Sequence, residues 1–157
     1  MEFIKDKEVS YWDTFYTNKQ NYKEIIPSQF AVFALSEMND SDISNIIEFG
    51  VGNGRDSIFF SRQDKKVIAL DRSMEAIELL SKQVSGNKNI KLLQHDVKDP
   101  FPKTVMNCDG NKAVYARFFL HSLDQISLEM FFKHTSKIMK NLDLLFVEYL
   151  MNNPNVL

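Results

Sequence analysis

The segment Ile46-Ile47-Glu48-Phe49-Gly50-Val51-Gly52-Asn53-Gly54-Arg55-Asp56 packs an apolar run, a carboxylate, three alternating glycines and a helix start into eleven positions. Glycine at such a turn permits positive φ and removes the Cβ that would hold a ligand off the backbone. The helix that follows offers unpaired N–H groups. A carboxylate ahead of the first glycine would repel a phosphate, so Glu48 favours a cationic or amine-bearing ligand. Two more acids, Asp71 and Asp96, end later apolar runs, and Arg117 and His121 follow a fourth. Imidazole is the side chain whose ordinary pKa suits proton transfer near pH 7. The chemistry on offer is the cradling of a nucleotide-like, amine-bearing group beside a candidate base.

The elements that would hold these residues alternate between strand and helix patterns. Apolar spacing of three and four residues over 8–19 (Val9, Trp12, Phe15, Tyr16) predicts one helix, and Ser28 can cap a second over 29–38 with Phe30, Phe33 and Ala34 or Leu35 on one face. Strands are expected at 45–49, 66–70, 90–93, 112–116 and 144–149. Helices are expected at 56–63, at 74–84 (capped by Ser73 or Asp71; Ala76, Ile77, Leu80 and Val84 inward) and at 127–141 (Leu128, Phe131, Phe132 and Ile138). The stretch 99–110 holds two prolines and reads as loop. Near-continuous apolar strands alternating with helices predict an α/β fold: a Rossmann-like, doubly wound, mostly parallel sheet of about five strands, helices on both faces, and two N-terminal helices. In such sheets ligands gather at the carboxyl ends of the strands, where Glu48, Asp71, Asp96 and Arg117 to His121 fall.

The glycine spacing separates two classes of ligand. A dinucleotide turn wants G-x-G-x-x-G, and Arg55 stands where its third glycine belongs. Ile47-Glu48-Phe49-Gly50-Val51-Gly52-Asn53-Gly54, Val67-Ile68-Ala69-Leu70-Asp71 and His95-Asp96-Val97 together resemble class I S-adenosylmethionine-dependent methyltransferases over residues 45–149. The resemblance implies S-adenosyl-L-methionine as cofactor. Gly50, Gly52 and Gly54 would contact its methionine part, with Glu48 before them and Arg55 after. Asp71 would accept both ribose hydroxyls, with Arg72 and Ser73 beside it, and Asp96 would face the adenine amine with Val97 against the ring. Asp71 can instead serve as a helix cap, Asp96 as a turn residue and Glu48 as an ion-paired strand end.

Val114-Tyr115-Ala116-Arg117-Phe118-Phe119-Leu120-His121-Ser122-Leu123 is similar to the acceptor side of a small-molecule subgroup of that family, one found in polysaccharide or lipid head-group pathways. There His121 either takes a proton from the acceptor or orients the turn. Arg117 either pairs with an anionic acceptor group or braces Asp71 or a terminal carboxylate. Tyr16, with Tyr11, belongs to a helical lid that would close over the cofactor. The expected organisation is one domain: a lid over 1–40, a cofactor-binding core over 45–149 and an irregular tail over 150–157. The family's sheet ends in an antiparallel hairpin that this sequence does not supply, so its fifth strand is expected at an open edge, with either a second copy covering it or weak activity.

Bulk properties narrow the classes further. Of 157 residues, 44% are hydrophobic and 25% charged, with 19 Lys and Arg against 21 Asp and Glu. That balance lacks the basic footprint of a nucleic-acid binder. No run is long and apolar enough to span a bilayer, and the first residues lack a signal-peptide layout, so a cytoplasmic location is expected. Cys108 is the one cysteine, and neither it nor His95 or His134 has ligand-spaced partners, so no metal is expected. The function expected is methyl transfer to the nitrogen or oxygen of a small acceptor, anionic or neutral, such as an amino-alcohol phosphate or a sugar. The alternatives are a non-catalytic cofactor-binding or partner-regulating domain, and a nicotinamide oxidoreductase, which Arg55 and Glu48 disfavour.

Overall fold

The computed structural model describes residues 26–150. The helix expected over 8–19, the lid residues Tyr11 and Tyr16 and the tail beyond residue 150 lie outside the described residues. Five parallel strands form one sheet: β1 (Asn45–Phe49), β2 (Lys66–Asp71), β3 (Ile90–Gln94), β4 (Lys112–Arg117) and β5 (Leu144–Glu148), in the order β3-β2-β1-β4-β5. All four neighbouring pairs are parallel. The chain winds outward from β1 to β3, then returns to lay β4 on the other side of β1. This reversal opens a crevice at the carboxyl ends of β1 and β4.

Helices cover both faces. The first described helix, α1 (Gln29–Asp40), is capped by Ser28, whose side chain accepts from the Ala31 N–H. Helices α2 (Arg55–Arg62) and α3 (Met74–Gln83) follow β1 and β2. Ser73, not Asp71, caps α3 by accepting from the Ala76 N–H. A short helix, α4 (Lys103–Met106), interrupts the stretch expected to be loop, and Pro102 precedes it. After a 3₁₀ turn at Leu120–Ser122, α5 (Gln125–Ile138) begins on an Asp124 cap, two residues earlier than expected.

Two apolar clusters sandwich the sheet. Ile46, Val67, Ala69, Ala113, Tyr115 and Phe146 pack with α1, α2 and α3, while Ile47, Phe49, Leu70, Val114 and Ala116 pack with Phe131 and Ile138 of α5. Strand alternation divides the residues this way. Two expected core aromatics are corrected. Phe33 is 54% exposed, because the inward stripe of α1 is Ala31, Ala34 and Met38; small side chains let the helix approach the sheet, and Phe33 stacks on Phe30 and meets the edge of Phe146. Phe132 is also exposed, since Phe131, His134, Thr135 and Ile138 form the buried face of α5.

Candidate functional site

The glycine loop takes the backbone shape its residues predict. Gly50, Gly52 and Gly54 have φ of +69°, +55° and +74°, the left-handed region where a β-carbon is costly. A β-carbon on Gly50 would lie 2.8 Å from Phe119, and one on Gly54 would run into the Leu80 side chain of α3. The third glycine therefore lets α2 and α3 close together, and the first lets the loop after β4 pack on the turn.

Asp71 ends β2 against this loop. One carboxylate oxygen accepts the Gly52 N–H at 3.0 Å and the other accepts the Ser73 N–H at 2.9 Å. The Arg72 N–H also donates to this carboxylate, which with about four acceptor positions keeps capacity for a ligand donor. Burial raises the Asp71 pKa above the ordinary carboxylate value, against the pull of the Ser73 and Gly52 N–H groups.

A cleft of about 690 Å³, measured to its open mouth, lies at the carboxyl ends of the strands. Phe49, Gly50 and Leu70 line its glycine-loop side, and Asp71 and Arg72 stand at the end of β2. His95, Asp96 and Val97 line it after β3, and Phe118 and Phe119 line it after β4, with Ser122 and Ser127 beyond. Asp96 shapes its own turn by accepting the Lys98 N–H at 2.9 Å. Of the residues expected around a cofactor, the structure thus brings Gly50, Asp71, Arg72, Asp96 and Val97 to one cleft.

Glu48 is placed elsewhere. It shares the Ile46 face of β1, is only 4% exposed, and accepts a hydrogen bond from the Ser57 hydroxyl of α2. Burial, reinforced by the Asp56 carboxylate, pushes its pKa up to about 8, against the Ser57 hydrogen bond. At pH 7 it is mostly a neutral acid. Its carboxyl is an interior group beneath the loop, outside the cleft lining, rather than a group displayed in the cleft as expected. Arg55 also falls outside the lining, with its Nε 3.8 Å from Asp56. Ser73 is fully buried at its cap.

Asp56 is the residue sequence reasoning missed here. Its carboxylate accepts from the Ser28 N–H and hydroxyl, both at 2.8 Å, and from the Tyr115 hydroxyl at 2.9 Å. One buried group so joins the start of α1, the start of α2 behind the glycines, and β4. Burial and the Asp56 charge push the Tyr115 phenol pKa up.

Glu48 gives stability a pH dependence. Its ordinary pKa is 4.5 and its folded value about 8, so between those values the folded state holds a proton the unfolded chain has lost. Stability therefore falls as pH rises from 4.5 to 8, by on the order of 3–5 kcal/mol for such a shift, and levels above 8. Glu48→Gln keeps the shape without the titration. Urea unfolding should find the variant close to the wild type at pH 5 and clearly more stable at pH 9; a difference that stays flat with pH would contradict the assignment.

On the acceptor side, β4 ends in an uncommon conformation. Phe118 has φ +50°, which costs a non-glycine residue roughly 1–2 kcal/mol. Arg117 lies across its ring, 4.1 Å from the centroid, with its Nε 2.7 Å from Glu148 Oε2. Arg117 thus braces Glu148 at the end of β5, a partner other than the Asp71 or terminal carboxylate expected. His121 is exposed on the 3₁₀ turn, its ring 6.0 Å from that of Phe118 and outside the cleft lining. The imidazole that lines the cleft is His95, whose pKa burial lowers despite Asp99 and Asp96. Cys108 is half-buried and its thiol pKa is raised by burial. No group of three metal-ligating side chains occurs among the described residues, and none of their helices is long and apolar enough to cross a membrane.

Residues 46–141 match the model of a family described as a methyltransferase domain. The fold is similar to that of DhpI in a complex with SAM and HEP (TM-score 0.67, 18% identity, 96% of this chain and 68% of that one). It is similar to a SAM-dependent methyltransferase from Anabaena variabilis (TM-score 0.67, 20% identity, 92% and 60%). It is also similar to the glycopeptide N-methyltransferase MtfA (TM-score 0.59, 16% identity, 75% and 53%). The chain thus spans between 53% and 68% of the length of these three proteins. No protein of curated function matches its sequence.

Proposed function

Since the chain belongs to the methyltransferase domain family, we propose that its cleft binds S-adenosyl-L-methionine and that it transfers a methyl group to the nitrogen or oxygen of a small acceptor. The observation that carries this reading is the Asp71 carboxylate, tied to the glycine loop through the Gly52 N–H at 3.0 Å and open to the same cleft as Asp96. A carboxylate, an acceptor-only group, suits the hydroxyl donors of a ribose. Asp96 and Val97 would meet the adenine, and the glycine loop the methionine part.

The cofactor supplies a methyl carbon already activated by its sulfonium leaving group. What the protein must add is alignment of a neutral nucleophile and exclusion of water, more than strong acid–base chemistry. His121, on the rim beside Phe118, is the candidate base, and Arg117 orders that rim through Glu148. Tyr16 belongs to the same reading as a lid residue. The expectation of an anionic acceptor leaned on an available Arg117 charge, which Glu148 neutralises.

Calorimetry should show binding of S-adenosylmethionine and none of NAD; the reverse would favour an oxidoreductase. Turnover across amines, amino alcohols and sugars then separates an enzyme from a cofactor-binding module. For an acceptor that must lose a proton, His121→Gln should lower kcat about 10²-fold with cofactor affinity unchanged. A loss under fivefold would leave His121 as a residue that orients the turn.

A further inference from the structure

The end of β4 holds Phe118 in a left-handed conformation and leaves its ring 37% exposed at the cleft. A large apolar side chain gains nothing for folding by being held in a strained backbone and turned partly to solvent, and such strain concentrates at functional sites. The conformation is over-determined by its neighbours. The Phe118 N–H donates to the Glu148 carbonyl at 2.7 Å, so the last residue of β5 fixes the bend. The Glu148 side chain fixes Arg117 at 2.7 Å, a contact that lacks hydrogen-bond alignment and acts as an ion pair. Arg117 then covers one face of the phenyl ring.

This arrangement has an electrostatic consequence. The cation nearest the acceptor side is neutralised behind the ring, and what the cleft meets is the phenyl group. Among the described lining residues, Arg72 is the one fixed cation against the two carboxyls of Asp71 and Asp96. Lys98, adjacent to Val97, is held by Asp124 at 2.7 Å. With Asp71 and Asp96 taken by the cofactor, the described lining after β4 (Phe118, Phe119, Ser122 and Leu123) offers a phosphate an apolar wall and no fixed cation. A planar or apolar group carrying an amine or phenol would face a ring suited to stacking.

We propose that Phe118, propped by the Glu148–Arg117 pair, is the acceptor-specificity residue of the cleft, selecting acceptors with an aromatic or apolar body and a neutral amine or hydroxyl nucleophile over phosphate-bearing ones. This rests on the methyltransferase reading above. It differs from that reading in naming the acceptor class and the residue that chooses it.

The test compares wild type, Phe118→Gly and Phe118→Tyr, using tyramine and phosphoethanolamine as acceptor probes and S-adenosylmethionine as donor. Glycine tolerates the backbone angle and removes only the ring; tyrosine keeps the ring. Wild type should turn over tyramine with at least tenfold higher kcat/KM than phosphoethanolamine. Phe118→Gly should raise the tyramine KM tenfold or more while the S-adenosylmethionine Kd and the thermal midpoint stay close to wild type, and Phe118→Tyr should restore the KM. A preference for phosphoethanolamine, an unchanged KM in Phe118→Gly, a parallel loss of cofactor affinity, or turnover of neither probe by an enzyme that binds its cofactor would each overturn the proposal. Failure of wild type to bind S-adenosylmethionine would overturn the cofactor reading and this inference with it.

Discussion

Replacing Asp71 with Ala is expected to weaken S-adenosylmethionine binding by a factor of about 10²–10⁴. Hydrogen bonds to a charged group contribute roughly 1.5–3 kcal/mol each, and every 1.4 kcal/mol is about tenfold in affinity, so loss of two ribose contacts accounts for this range. The same substitution frees the Gly52 and Ser73 N–H groups that the carboxylate accepts, which loosens the cradle as well as removing its ligand contact. Asp71→Asn separates the two effects. Its remaining carbonyl oxygen keeps one backbone acceptor, so the thermal midpoint should stay near wild type while affinity falls about tenfold. Because burial raises the Asp71 pKa, binding should also weaken on acidification earlier than for an ordinary aspartate, as the acceptor is protonated. Titration calorimetry of the three proteins is the measurement. A change below threefold in Asp71→Ala would remove Asp71 from the cofactor site.

How far the site can be read from sequence depends on the range over which its residues cooperate. Asp71, Asp96 and the glycines are legible because each is fixed by the end of its own strand: β1 runs over Asn45–Phe49 as expected, bounded by a polar entry and Gly50. The direction of Glu48 is not legible in the same way. Position and type come from sequence, but only the pleat decides that it shares the Ile46 face and meets Ser57. The Asp56 junction is less legible still, since Tyr115 is 59 and Ser28 is 28 positions away and no local spacing marks such a meeting. The outward turn of Phe33 and Phe132 is hidden from the sequence for a related reason. Bulk suggests burial, whereas close helix–sheet approach selects small residues such as Ala31 and Ala34. Four-residue α4 is too short to show a period. The left-handed Phe118 carries no sequence signal at all, because phenylalanine does not favour that conformation; the neighbouring β5 end imposes it.

The largest stability effect should come from the far end of the same strands. Lys112 opens β4 with its ammonium 3.1 Å from Asp143, and the two side chains are 2% and 1% exposed. Asp143 also accepts the Lys112 N–H at 2.9 Å and the Lys140 N–H at 2.8 Å, so it holds the turn into β5 as well as the charge. Asp143→Ala leaves a buried ammonium and two backbone donors without their acceptor. Breaking a buried pair from one side costs about 3–5 kcal/mol, a large share of the roughly 5–15 kcal/mol that holds a domain folded. Asp143→Asn keeps an acceptor for the backbone and should cost less. Lys112→Met combined with Asp143→Asn removes both charges and should recover part of the loss, because a neutral pair has no buried ion to solvate. The pH response has the opposite sign to that of Glu48. Although burial acts to raise the Asp143 pKa, the Lys112 and Lys140 N–H groups and the Lys112 ammonium outweigh it and hold it below the ordinary 3.8. Its contribution is therefore complete above pH 3.8 and disappears as pH falls through the lower folded value. Urea midpoints for the wild type, the two single variants and the double variant would establish the order. An Asp143→Ala protein within 1 kcal/mol of wild type would mean that water, reaching the ammonium, replaces the carboxylate, and that this end of β4 is held by packing of Ala113 and Val114 alone.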